Sequence, residues 1–215
     1  MDVEHAEHTL ETIRSLMERS QRYEHVSGYS GLAAGCVVLA ACGVLAAGRL
    51  PFGPRGNFAL VWGVAFAVAF AAHVILTFAR ARQRDEPVWS RQARTVYLAL
   101  LPSLLASLAV TVLMWRLNRL DLLPAVWLSL YGCGVLATSF FAPRSILALG
   151  AGCFVMGVAS LLGDWVHPLL TMAVGFGITH VAFGAAVLAA ERREKRERAL
   201  WVEVLALSKQ LEELP

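Results

Sequence analysis

Residues 27–47 read SGYSGLAAGCVVLAACGVLAA, a run without one Asp, Glu, Lys or Arg. A helix needs about 20 predominantly apolar residues to cross the hydrocarbon layer of a bilayer. Five more charge-free stretches follow at 57–79, 95–115, 122–142, 145–163 and 168–190, and all 19 basic and 16 acidic residues lie between or outside them. Lipid offers no partners to backbone N–H and C=O groups, so each crossing must satisfy its own. Continuous runs of Ala, Leu and Val do this as helices, whereas a barrel would show short alternating segments. The fold class expected is an all-α membrane protein, a six-transmembrane-helix bundle.

With 57% apolar residues and a mean hydropathy of +0.58, a chain of 215 residues leaves little for a soluble domain. Three parts are expected: an amphipathic N-terminal helix at 1–26, the six-helix domain at 27–190, and an amphipathic C-terminal helix at 191–215. Lys and Arg are biased toward cytoplasmic loops. Fifteen lie on the side of the termini, in the arm, the second and fourth loops and the tail; four (Arg49, Arg55, Arg116 and Arg119) lie opposite. Six spans with that bias place both termini in the cytoplasm. The polar arm before the first span lacks the basic start of a secretory signal, and no cleaved peptide is expected.

The loops opposite the termini are short. Pro51-Phe52-Gly53-Pro54-Arg55-Gly56 reads as a turn. Asp121 is placed to cap the fourth helix, with Pro124 in its first turn. Trp89, in the basic second loop, is expected at headgroup level. A six-residue likeness between 41–46 and 132–137, in spans of opposite direction, reads as shared membrane composition rather than an inverted repeat.

Both termini carry heptad-like spacing. Val3, Ala6, Leu10, Ile13, Met17 and Ser20 recur at threes and fours, as do Leu200, Val204, Leu207, Leu211 and Leu214. Each seam is short for an autonomous coiled coil, so a partner surface is expected. The options are docking of arm on tail, a homodimer, a cytoplasmic protein partner through Leu200, Val204, Leu207 and Leu211, or a helix lying on lipid headgroups.

Small residues form the clearest pattern inside the spans. Gly28, Gly31 and Gly35 share a face of the first, and Gly175, Gly177 and Gly184 lie in the last. Glycine lets helix backbones approach closely, within one subunit or between two. His73 and His180 lie inside the apolar runs, where an ionisable group must find partners. His180 has Gly177 three residues before it and Gly184 four after, which leaves room for a neighbour or a ligand. A hydrogen-bonded neutral histidine, a small-ligand or proton-sensing site, and a haem ligand are the alternatives. For haem, His73 stands seven residues before Arg80 and His180 eleven before Glu191, an axial offset of roughly 6 Å.

Much is missing. No carboxylate lies at membrane depth, and no phosphate loop, zinc-protease or nucleophile-elbow motif occurs. Cys36, Cys42, Cys133 and Cys153 form no CxxC pair and read as small apolar side chains. Catalytic residues, metal, cofactor and nucleic-acid partner are all expected to be none.

Ser27-Gly28-Tyr29-Ser30-Gly31, the second loop with Trp89, and Gly175-Phe176-Gly177-Ile178-Thr179-His180-Val181-Ala182-Phe183-Gly184 resemble an uncharacterised family of bacterial six-helix integral membrane proteins. The resemblance implies an inner-membrane location, no established activity, and a sensing or regulatory role beside winged-helix regulators. The expected function is a non-enzymatic sensing or scaffolding module acting through its cytoplasmic helices. The alternative is a small transporter or small-ligand-binding protein built on His180, with Gly177, Gly184 and His73 as further ligand-binding candidates, haem being one variant.

Overall fold

A computed structural model describes residues 27–83, 90–139, 144–163 and 167–212. The N-terminal heptad pattern and Trp89 lie outside the described residues. Six helical units are long and apolar enough to cross a membrane, and no strand occurs among the described residues. They are α1 (Gly28–Ala47), α2 (Gly53–Gln83), α3 (Arg91–Leu117), α4 (Leu123–Thr138), α5 (Arg144–Leu162), and a last rod. That rod joins α6 (Pro168–Met172), a π-helical segment (Ala173–Ile178) and α7 (Thr179–Glu212) without a break.

The ends of these helices follow from local chemistry. α1 stops where Gly48 takes a left-handed conformation (φ 62°) and gives its N–H to Leu45 O. Pro51 and Phe52 form the turn expected there, but the turn is shorter than expected: Gly53, Pro54, Arg55 and Gly56 already belong to α2. Proline is tolerated in a first helical turn, where its missing N–H has no intrahelical partner to lose. Asn57 holds the turn, its amide donating to Leu50 O and its Oδ1 accepting from Phe52 N. In α3 the Ser90 hydroxyl accepts from Ala93 N at the start, and Asn118 ends the helix at φ 59°. Asp121 does not cap α4. It lies in the 3-10 turn Leu120–Leu122 and pairs with Arg119 at 3.1 Å, while Pro124 does sit in the first turn.

α4 is shorter than its charge-free run. It ends where Thr138 and Ser139 turn their hydroxyls back onto Val135 O and Leu136 O. α2, by contrast, is 31 residues, or about 46 Å, and overruns the ~30 Å hydrocarbon layer.

α4 and α5 pack along their length, α1 lies against α2 on one side and α7 on the other, and α3 rests on α4. No residue of α3's most apolar stretch is buried, so Leu98, Leu101, Leu105 and Leu108 face outward. Two apolar clusters result. Val38, Ala41, Cys42, Val61, Trp62, Ala65 and Met172 join α1, α2 and α6. Leu128, Val135, Ile146, Leu149 and Cys153 join α4 and α5. Phe176, in the π segment, packs against both clusters. The last rod therefore fastens the two halves together.

Candidate functional site: a histidine in the π segment

Three consecutive carbonyls of the π segment are taken by side chains. Val174 O accepts from Thr179 Oγ1 at 3.0 Å, Gly175 O from Cys153 Sγ at 3.5 Å, and Phe176 O from His180 Nδ1 at 2.8 Å. In a π-helix the backbone bonds reach one residue further than in an α-helix, which loosens the ladder and recurs at functional sites. Here side chains saturate it instead.

His180 is 4% exposed. Because a carbonyl only accepts, Nδ1 must carry the proton that goes to Phe176 O. Nε2 is then the lone-pair nitrogen and accepts from the Tyr131 hydroxyl at 2.9 Å. The imidazole is neutral with both nitrogens satisfied. Its ring stacks on Phe176 at 3.9 Å and 13°, and Tyr131 leans on Phe176 at 5.0 Å.

Gly177 and Gly184 lie beside His180, but the space they leave is occupied. A Cβ on Gly184 would come within 2.6 Å of Leu32 N, and one on Gly35 within 2.6 Å of Gly177 O. A Cβ on Gly177 would meet Leu39 at 2.8 Å. Gly28 and Gly31 meet Gly184 in the same way. The glycine faces of α1 and α7 are thus turned to each other within one chain, and α1 fills the room expected beside the histidine.

His73 has different surroundings. It is exposed on α2, with Nε2 3.5 Å from Tyr97 Oη on α3, a long hydrogen bond. The two histidines meet different tyrosines and make no contact with each other among the described residues. Among the described residues no cluster of three or more His, Cys, Asp or Glu could hold a metal ion.

Tyr131 was not singled out by the sequence reading. The signal was present, since a phenol inside an apolar span needs a hydrogen-bond partner. Its distance of 49 residues from His180 hid the pairing.

A cavity of about 280 Å³ opens at the end where α2 starts and α3 finishes. Phe58, Trp62, Pro124 and Leu169 line it with Arg55, Asn118 and Asp121. Three of its polar groups are engaged: Arg55 Nε donates to Asn118 Oδ1 at 2.7 Å, and Asp121 pairs with Arg119 outside the lining. The Trp62 indole N–H is buried with no hydrogen-bond partner among the described residues. Trp127 braces the wall, stacking near Phe58 at 5.7 Å and donating to Thr111 Oγ1 at 2.7 Å.

At the other end, Arg80 of α2 pairs with Glu191 of α7, tying the two helices where the charged part of the rod begins. Beyond it Leu200, Trp201, Val202 and Val204 are all more than half exposed. The side chains of Leu207 and Leu211 lie outside the described residues. Compared with family models, curated proteins and solved structures, the chain matches none.

Proposed function

We propose that this chain is a non-enzymatic sensing or scaffolding module of a bacterial inner membrane, with both termini in the cytoplasm, acting through its terminal helices. One observation carries the reading. A single helical rod runs from a π segment wedged between two apolar clusters, past the Arg80–Glu191 pair, to a stretch that presents Leu200, Trp201, Val202 and Val204 outward. Apolar side chains of that size on a charged helix mark a docking surface. Rearrangement at His180 and Tyr131 would shift the same rod that carries it. Cytoplasmic placement rests on the fifteen-to-four bias of Lys and Arg.

The alternative, a small-ligand or haem site on His180, would require Tyr131 to release Nε2 and α1 to withdraw from Gly177 and Gly184. The geometry lends it no support. The test is association: deleting residues 199–215 should abolish capture of partner material from native membranes while the protein still inserts. Capture unchanged by the deletion would refute the proposal.

A further inference from the structure

The cavity where α2, α4 and α6 begin and α3 ends is walled on one side by a single face of α2. Arg55, Phe58 and Trp62 follow one another at spacings of three and four, and all three line it. Arg55 and Trp62 stand about 10.5 Å apart along the helix axis. An unused donor marks each end of that face. Arg55 is exposed; its Nε donates to Asn118 Oδ1 at 2.7 Å, and neither Nη group has a partner among the described residues. Two turns deeper, Trp62 is only 7% exposed and its indole N–H is the orphan noted above.

Buried donors in native proteins are nearly always paired, and an unpaired one gives up its hydration for nothing. The neighbouring Trp127 has found Thr111 Oγ1. Trp62 meets Trp127 edge to face, at 6.1 Å and 78°, which offers at most a weak ring acceptor. An oxygen acceptor supplied from the cavity would complete it. The nitrogen is closed off as it stands, and a small turn of the indole about χ2, whose well is broad, presents it to an entering group.

Between the two donors the wall is apolar, built from Phe58, Pro124 and Leu169. Its volume of about 280 Å³ is nearly twice that of a cavity of about 150 Å³ that holds benzene, so one ring with a short chain fits. At the mouth two arginines, Arg55 and Arg119, stand against one carboxylate, and Asp121 is already paired with Arg119 at 3.1 Å. The surplus cation favours an anion, and the planar guanidinium suits a carboxylate.

We propose that this cavity binds a small aromatic carboxylate. The carboxylate sits on the Nη edge of Arg55, the ring lies against Phe58, Pro124 and Leu169, and an oxygen on the far side of the ring accepts from the Trp62 N–H. The ligand enters from the end of the bundle opposite the termini. Pro168 and Leu169 open the last rod, so the ligand touches the element that carries the exposed extension. The site goes beyond the reading of the terminal helices and does not need it: a chain lacking residues 199–215 should bind equally well.

The test is equilibrium dialysis of the full-length chain in detergent against 4-hydroxyphenylacetate, phenylacetate and 4-hydroxyphenylacetamide. The expected result is saturable binding of 4-hydroxyphenylacetate at one site per chain. Arg55→Gln should weaken it about tenfold or more and leave the amide unchanged. Trp62→Phe should weaken it about fivefold and leave phenylacetate, which lacks the ring oxygen, unchanged. Arg192→Gln, at the opposite end of the bundle, is the control and should change nothing. Binding that neither Arg55→Gln nor Trp62→Phe alters would be uptake elsewhere on the chain or in the micelle, and would overturn the proposal. Loss with Arg55→Gln alone would also overturn it, because a structural water would then serve the indole. So would failure of all three probes to bind. Should Trp62→Phe fail to fold, the parent chain still reads the indole bond: it should prefer 4-hydroxyphenylacetate to phenylacetate about fivefold, and equal affinity would overturn the proposal.

Discussion

The Tyr131–His180 bond joins α4 to the last rod through one hydroxyl and one lone pair. Tyr131→Phe deletes the donor and keeps the ring against Phe176. Interhelical hydrogen bonds in membrane proteins are worth about 0.6 kcal/mol on average and up to about 1.7. Near-complete burial of His180 puts this one toward the upper value, so Tyr131→Phe should cost about 1–1.5 kcal/mol in a detergent-unfolding titration. The glycines give a sharper contrast. Gly35→Val and Gly184→Val drive side chains into the facing backbone and should each cost about 1–3 kcal/mol or more, as overpacking does. Gly43→Ala and Gly63→Ala meet nothing within 4 Å and should stay within about 0.5 kcal/mol of the parent. Equal losses at all four positions would dissociate the glycine face from close approach. At this scale the sequence marked His180 and the glycines as residues needing neighbours. It did not identify the neighbours, because Tyr131 and Leu32 reach them only through the arrangement of helices.

Among the elements, the π segment was the least legible. Gly175-Phe176-Gly177 inside an apolar run is compatible with an ordinary helix, and only the carbonyls used by Thr179, Cys153 and His180 show how the looser turn is sustained. A π segment accommodates one extra residue in an α-helix while the flanking helices keep their faces, so deleting Val174 should restore α geometry with His180 still turned toward Tyr131. Tyr131→Phe should then cost about as much in the deletion background as in the parent, read in the same unfolding titration. Loss of the Tyr131→Phe effect on deletion would mean that the π segment is what aims the histidine. The spans themselves were legible because charge is excluded from lipid. Their ends were less so: Pro54 was compatible with either a turn or a first helical turn, and Asp121 chose Arg119 over the start of α4. His73 met Tyr97 on the outer surface, since neither the depth nor the apolar run told which way α2 faces.

At the scale of the molecule, two apolar clusters meet at Phe176, so the rod should respond to strain in either half. Phe176→Ala should loosen both contacts and lower stability by about 3 kcal/mol or more. Its signature is a simultaneous rise in maleimide reactivity at Cys42 and Cys153, which belong to different clusters. A rise at only one of them would place the junction elsewhere. The account as a whole depends on six crossings with both ends of the chain on one side. With Cys36 and Cys133 replaced by alanine, single cysteines are placed at Phe52→Cys, in the turn before α2, and at Val202→Cys, on the extension. Intact cells are then exposed to a membrane-impermeant maleimide. Labelling at 52 in intact cells, and at 202 only after the cells are opened, is the expected result; labelling of 202 in intact cells would contradict it.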